Sequence, residues 1–406
     1  MSHLRFLTAG ESHGKSLTVI IEGLPSNLPF NFELLNLRLA QRQEGYGRGG
    51  RMKIEKDTAE ITSGVRNGKT LGSPVAIIIK NNDWENWSEI MSEFPFEIQP
   101  GKITVPRPGH ADMTGVQKYN FSDIRNSIER SSARETAART AAGTVAEMLL
   151  NFFNIKLFSF VESIGGIYSD YEFYAKLLTS KNEPAITLLE QLQALADQSE
   201  LKMPDTEQTF TIIEKIKNIK KAGDTLGGSV ITAAVNLPPG LGSFVHFDRK
   251  LDAAIASSIM SVNAVKSVTI GGGDYGSTLT GSNFHDEIIL ENSRYLRNTN
   301  MAGGIEGGIS TGMPVLVRSI MKPISTLMMP LKSIDLKNNS EIEARRERSD
   351  FVAVPAYSVI ARAALSFTLA QFFLDKFSGD SMEEIGDNFS NFNSKIFSRI
   401  QENFGG

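Results

Sequence analysis

Residues 132–153 read SARETAARTAAGTVAEMLLNFF. Ser132 and Glu135 have the S-x-x-E spacing of a capping box, and an alanine-rich run follows into LLNFF, so the stretch predicts a helix over 132–153. The pattern changes on both sides of it. Downstream, LFSFVESIGGI at 157–167 reads as a strand, and 168–222 is polar, charged and helix-prone, the look of a peripheral insertion. GGSVITAAVNLPPGLG returns to strand and turn. A helix is expected over 248–261 and a strand over 265–270. A glycine-rich tract fills 271–312, MPVLVRSI at 313–320 is a strand, and 355–377 make a long apolar helix. The polar end, 378–406, carries scattered phenylalanines and reads as a helix or a loose tail. Upstream, 4–22 suggest two short strands joined by a glycine-bearing turn, 33–42 have helical spacing, and 58–80 alternate as strands. Residues 83–104 are polar and irregular and hold both tryptophans, Trp84 and Trp87.

No repeat of 20–50 residues is present, and no linker divides the chain. Motifs with chemical character run from residue 11 to residue 350. One domain over 1–406 is therefore expected. With 41% hydrophobic and 22% charged residues, a core can form without metals or disulfides. There is no cysteine, which excludes a disulfide framework, a thiolate metal site and a cysteine nucleophile, and favours a reducing compartment. The start, MSHLRFLTAGESHG, has no signal-peptide pattern, and no apolar run approaches a membrane span. A cytoplasmic location is the expectation. A net charge of −4 argues against a nucleic-acid partner and makes local arginine clusters stand out.

Gly45, Gly47 and Gly50 satisfy G-x-G-x-x-G, as do Gly271, Gly273 and Gly276. A dinucleotide site needs a strand before this motif and a helix after it. Both are followed by strand-like sequence, so tight turns and close backbone approach are the better reading. No G-x-x-x-x-G-K-[ST] occurs.

Arg42, Arg48 and Arg51 lie within ten residues, the last two beside glycines, and Arg107 precedes Pro108 and Gly109. Glycine lets a ligand reach the main chain while guanidinium forks bind phosphate or carboxylate. Arg130 and Arg134 stand at the mouth of the expected helix. An arginine in a first turn opposes the helix dipole by about 0.3–1 kcal/mol, a penalty that an anion bound there would reverse. His13 in GESHG and His110 in RPGHAD sit in rigid turns, where histidine serves as a general acid or simply bonds a carbonyl. No metal-ligand spacing is present. KPIST at 322–326 offers a lysine, a stiffened turn and two hydroxyls for a phosphate or a flavin edge. Asp350 follows Arg348 by two residues and precedes the strand-like FVAVP, where a salt bridge or a helix cap is the plain structural reading.

Together GESHG, GYGRGGRMKIEKD, RPGHAD, RSSARETAART, LGGSV…NLPPGLG, AGGIEGGISTG, KPISTL and RSDFVAVPA, in this order, resemble the chorismate synthase family over about residues 4–375. The 168–222 segment and the tail from 378 fit that pattern poorly. The resemblance implies an α+β fold, a single-domain β-α-β sandwich with helices between antiparallel sheets, and a homotetramer. It implies a carbon–oxygen lyase of the shikimate pathway. Such an enzyme converts 5-enolpyruvylshikimate 3-phosphate to chorismate and phosphate by 1,4-elimination, with reduced FMN and no net redox change.

By motif, His13 and His110 correspond to the family's two catalytic histidines. One protonates the departing phosphate and the other the flavin. Asp350 corresponds to the aspartate that helps remove the ring proton. Arg42, Arg48, Arg51, Arg107, Arg134 and Arg348 correspond to anion-binding positions, with Arg42 and Arg48 also linked to NADPH. Arg130, Ser131, Ser132, Asn263, Ala264, Gly308, Lys322, Pro323, Ile324, Ser325, Thr326 and Arg348 correspond to flavin contacts. Asn263 often stands as proline in the family, so its implied contact is through the backbone. No added reductase domain is visible, so an external flavin reductase is expected, with NADPH an indirect reductant. Two alternatives stay open at this stage. One is an NADPH-dependent flavin oxidoreductase, and the other is a non-catalytic phosphate- or nucleotide-binding protein.

Overall fold

A computed structural model describes residues 4–49, 56–170, 172–347 and 350–405. Period-2 patterning builds the first sheet. Leu17, Val19 and Ile21 alternate inward along β2 (Ser16–Glu22), as do Val75, Ile77 and Ile79 along β4 (Val75–Lys80). With β1 (Arg5–Ala9) and β3 (Ala59–Ser63) they form an antiparallel sheet in the order β1-β2-β4-β3, with Arg5 opposite Glu22 and Ser16 opposite Lys80.

The second sheet comprises β5 (Lys156–Ile164), β6 (Ile167–Tyr168), β7 (Gly228–Val235), β8 (Val265–Ile270) and β9 (Val315–Met321). It is antiparallel throughout, in the order β8-β9-β7-β5-β6. In chain order the principal helices are α1 (Phe32–Gln43), α2 (Asp112–Tyr119), α3 (Arg125–Ser131), α4 (Thr136–Phe152), α5 (Glu172–Thr179), α6 (Asn182–Asp197), α7 (Thr206–Ala222), α8 (Leu251–Met260), α9 (Val354–Lys376) and α10 (Met382–Phe404).

The two sheets enclose a helical layer. α4 packs on the first sheet, α9 on β5 and β7, and α4 and α9 pack on each other. This is the β-α-β sandwich, and its α+β class agrees with expectation. Small residues set the spacing of the central pair: Ala137, Ala138, Ala141, Ala142 and Ala146 on α4 face the core with Ala361, Ala363 and Ala370 on α9. At Gly143 an added Cβ would lie 2.3 Å from the Ala363 carbonyl oxygen and 2.5 Å from its Cα. Since the obstacle is backbone, Gly143→Ala must push the helices apart. We expect it to cost about 1–3 kcal/mol, read as a lowered melting temperature. α9 is long and apolar enough to span a membrane by composition, a feature the sequence reading did not expect, but it is this buried core helix.

β5 and β7 are buried on both faces because α5 and α6 cover the outside. Tyr174, Leu177, Leu189 and Leu192 pack there against Phe158, Phe160 and Ile231. Helices α5 and α6 thus form an outer layer closing the second sheet, whereas Leu201, Met203 and, on α7, Ile212 and Ile216 join the main core, so 168–222 is not peripheral throughout. The tail is a helix: Phe389 packs on Phe153, Phe373 and Phe377, and Lys376 lies 4.0 Å over the Phe392 ring.

Two local expectations are corrected. The capping box belongs to Ser381 and Glu384 at the start of α10, not to Ser132 and Glu135. Ser132 Oγ accepts from the Arg134 amide, and a 3₁₀ turn, Ala133–Glu135, precedes α4. The Glu135 carboxylate is drawn instead to Thr8 Oγ1 and Arg139 Nε. The second glycine motif itself contains a single helical turn, Gly273–Gly276, and another, Gly281–Phe284, follows where strand-like sequence was expected, before the next strand, Ile288–Glu291. Neither turn is long enough to present a helix dipole, and the antiparallel sheet holds no βαβ unit there.

Candidate active site

A cavity of about 750 Å³ opens where the ends of α3 and α8 meet the first turns of α4 and α9. His13 reaches it from the β1–β2 turn. Its amide donates to Glu129 Oε2 at 2.8 Å, and its Nδ1 lies 2.9 and 3.0 Å from the two Glu129 oxygens. The ring stacks on Trp87 with centroids 3.9 Å apart, and Arg125 lies against the same indole. Burial would raise the Glu129 carboxyl, but the hydrogen bond and charge of His13 outweigh it and hold it low.

His110 enters from the turn before α2. Its Nδ1 is 2.5 Å from Asp112 Oδ1. Asp112, fully buried, also accepts from the Arg107 amide at 3.0 Å, from Nε at 2.8 Å and from Nη2 at 3.0 Å. Burial would raise this carboxyl too, yet the His110 and Arg107 bonds hold it well below the usual range. Arg107 Nη1 reaches Glu347 at 2.5 Å.

A third buried carboxylate, Asp57, accepts from Arg42 Nη2 at 2.6 Å and from Arg134 Nη1 at 2.7 and 2.8 Å. Arg134 Nε donates to Asn81 Oδ1 at 2.9 Å. Burial lowers Arg42 to about 10, with Asp57 opposing and Arg134 reinforcing, so the side chain stays charged at neutral pH. The anion that relieves Arg134 from the helix dipole is therefore Asp57 of the same chain.

Arg48 pairs with Asp350 at 2.8 Å, and the Gly49 amide donates to the other Asp350 oxygen at 2.6 Å. The glycines before them serve packing. Gly45 (φ +118°) and Gly47 (φ +93°) let the loop lie on α9, where a Cβ at Gly45 would meet Pro355 at 2.8 Å, and the Gly47 carbonyl accepts from the Phe351 amide.

The turn after β9 completes the wall. The Lys322 amide bonds the Ala264 carbonyl and its Nζ the Gly109 carbonyl, both at 2.9 Å. Burial, with Lys266 nearby, lowers the Lys322 ammonium. Asn263 Nδ2 donates to the Ser131 carbonyl at 3.0 Å, so this side chain contributes more than backbone.

Of the expected residues, His13, His110, Asp350, Arg42, Arg48, Arg107, Arg134, Ser131, Ser132, Asn263, Ala264, Lys322, Ile324, Ser325 and Thr326 line this one cavity. Arg51 and Arg348 lie outside the described residues. Pro323 is not among the lining residues. Neither is Arg130, which sits at the C-terminal end of α3 with Nη2 on Thr8, rather than at the mouth of α4. Gly308 packs against Lys250 instead, its carbonyl bonded to the Leu251 amide.

Sequence reading passed over Asp57, Asn81, Trp87, Asp112, Arg125, Glu129, Arg345 and Glu347. Asp57 closes the quoted GYGRGGRMKIEKD, Asp112 closes RPGHAD and Glu129 adjoins RSSARETAART, so these three were within reach, whereas nothing local marks Asn81. Among the described residues no cluster of His, Asp and Glu is arranged to hold a metal. Guanidinium groups and Lys322 outnumber the carboxylates around the cavity. The site is built for a multiply charged anion with proton donors beside it.

The sequence profile of the chorismate synthase family matches residues 4–374, a span that includes the 168–222 segment. Chorismate synthase of Aquifex aeolicus (strain VF5) is 49% identical over 97% of this chain and 98% of its own length. That of Symbiobacterium thermophilum is 47% identical over 98% and 100%. A crystal structure of a chorismate synthase superposes with a TM-score of 0.78 at 41% identity, covering 98% of this chain and 99% of the other.

Proposed function

Because the chain belongs to the chorismate synthase family and is therefore a lyase, we propose that it converts 5-enolpyruvylshikimate 3-phosphate to chorismate and phosphate, using reduced FMN. The observation that carries this reading is the clustering of His13 and His110 with seven arginines (Arg42, Arg48, Arg107, Arg125, Arg134, Arg345 and Arg346) on one cavity. The substrate holds a phosphate and two carboxylates, about three to four negative charges. Such an anion suits a wall on which cations are in excess.

The lining also fits a flavin. Val262, Met321, Ile324 and Ile360 offer apolar surface for a ring system, Lys322, Ser325 and Thr326 offer donors, and the volume lies in the range of cofactor sites. When bound, reduced flavin supplies a transient electron that eases C–O cleavage and is recovered as the ring proton leaves. The chain's residues do the rest. Arg42, Arg48, Arg107 and Arg134 hold and orient the phosphate and carboxylates. One histidine protonates the leaving phosphate oxygen, and the other serves the cofactor. Asp350 assists removal of the ring proton, for which one oxygen exchanges its bond to Arg48 or to the Gly49 amide. The C–O bond breaks with its electron pair leaving on phosphate, a C–H proton is lost, and a C=C bond forms, so no net oxidation occurs.

We place the reaction last in the shikimate pathway, in a cytoplasmic homotetramer supplied with reduced flavin by an external reductase. Arg42 and Arg48 also suit NADPH where it serves as indirect reductant. The test is anaerobic: protein, photoreduced FMN and substrate are mixed, and chorismate absorbance and phosphate release are followed. Both should rise together. Absence of product with reduced flavin overturns the reading, and product from oxidised FMN and NADPH alone reveals a built-in reductase. His13→Ala should lower turnover about 10²–10⁴-fold, and full turnover in that variant removes its catalytic role.

A further inference from the structure

The two histidines share an arrangement, although the partner of His110 lies within its own RPGHAD motif and the partner of His13 lies far outside GESHG. Each presents Nδ1 to a buried carboxylate on another turn or helix. Glu129, 3% exposed, comes from α3, 116 residues after His13. Asp112, 0% exposed, opens α2 two residues after His110. A carboxylate accepts hydrogen bonds and donates none when ionised, and both carboxyls are held low by these contacts. His13 must therefore carry its proton on Nδ1, and so must His110: Arg107 Nη2 also lies 3.1 Å from His110 Nδ1, but that group already donates to Asp112 Oδ1 at 3.0 Å, and the 2.5 Å approach of Asp112 to Nδ1 needs a proton between them.

A half-turn of either ring would set carbon against a buried charge. For Glu129 the cost is greatest, because its hydrogen bonds come from the His13 amide and ring. Trp87, stacked at an interplanar angle of 25°, also limits tilting of His13. Asp112 is tied independently by three bonds from Arg107.

We propose that Glu129 and Asp112 are positioning residues that lock His13 and His110 as Nδ1–H tautomers, leaving Nε2 of each as the nitrogen that exchanges protons with the bound ligand. This rests on the catalytic roles proposed above for the two histidines. The carboxylates touch no reacting atom; they act by fixing which nitrogen is available.

The test begins without substrate or flavin. In the full chain labelled with ¹⁵N-histidine, long-range ¹H–¹⁵N correlation spectra at alkaline pH report the neutral tautomers, with His13→Gln and His110→Gln assigning the signals. Both rings should show the Nδ1–H pattern. Glu129→Gln, whose amide can instead donate to Nδ1, should convert His13 to the Nε2–H pattern and leave His110 unchanged. In turnover it should lower kcat about tenfold to a hundredfold with KM within twofold, and Glu129→Asp should restore part of the loss. An Nε2–H pattern for either histidine in the unsubstituted protein overturns the proposal. So does Glu129→Gln with His13 tautomer and kcat unaltered. The spectra stand by themselves, so failure of the proposed reaction would leave them decisive; should Glu129→Gln not fold, the parent spectrum and Asp112→Asn decide.

Discussion

Arg134→Ala is expected to weaken binding of 5-enolpyruvylshikimate 3-phosphate by about 2–5 kcal/mol. The guanidinium is 4% exposed, shares Asp57 with Arg42 and bonds Asn81 through Nε. Desolvation makes its field on a bound anion strong and poorly screened. Truncation leaves Asp57 with Arg42 as a partner, so the protein should fold, a point checked by its melting temperature. Calorimetric titration at low and high salt then separates two effects. A buried contact loses affinity at both, whereas a surface charge matters only at low salt. Arg134→Lys should recover part of the loss, because one ammonium cannot hold Asp57 and Asn81 together as the planar fork does. Affinity within threefold of the parent in Arg134→Ala would leave the residue a purely structural role.

Glu147→Gln is expected to cost about 3–5 kcal/mol of stability at neutral pH. Glu147 lies on α4, 2% exposed, and accepts from Arg362 Nη2 of α9 at 2.5 Å, Arg38 Nη2 of α1 at 2.7 Å and Arg38 Nε at 3.1 Å. One carboxylate thus ties α1, α4 and α9, and its removal leaves two guanidinium groups without this counter-charge. Burial would raise its carboxyl, but Arg362 and Arg38 prevail and hold it at about 2, against an ordinary 4.5. Because the folded value is depressed, its contribution is complete above pH 4.5 and is lost as pH falls through about 2. The difference corresponds to about 3 kcal/mol, at about 1.4 kcal/mol per unit. Urea melts over this range should show a steep acid limb in the parent that is flattened in Glu147→Gln. An unchanged limb would place the acid sensitivity elsewhere.

The elements most legible in the sequence are those with strong periodicity. The central helix and the strands at 157–167 and 313–320 stand out because burial imposes apolar spacing along the chain. The start of α4 was misread for the opposite reason. Ser132 and Glu135 have the right spacing, but Thr8 and Arg139 compete for the Glu135 carboxylate, and Thr8 arrives from a strand far away in sequence. Ser381 and Glu384 meet no such rival, so their box forms. At the first glycine motif the expectation of tight turns and close backbone approach holds: Gly45 and Gly47 take positive φ where the loop lies on Pro355 and Val352.

By itself the sequence determined the supply of groups and the family. Arginines beside glycines, two turn histidines and eight ordered motifs pointed to a phosphorylated anion and to the chemistry of chorismate synthases. Only the tertiary structure decided how those groups are held. The buried carboxylates Asp57, Glu129 and Glu147 meet partners 77, 116 and 215 residues away. An isolated carboxylate looks like a solvated charge in sequence. Its meaning changes when folding removes water from around it, because a buried charge must then find its counter-charge, and where that partner stands depends on the packing of two sheets and the helices between them.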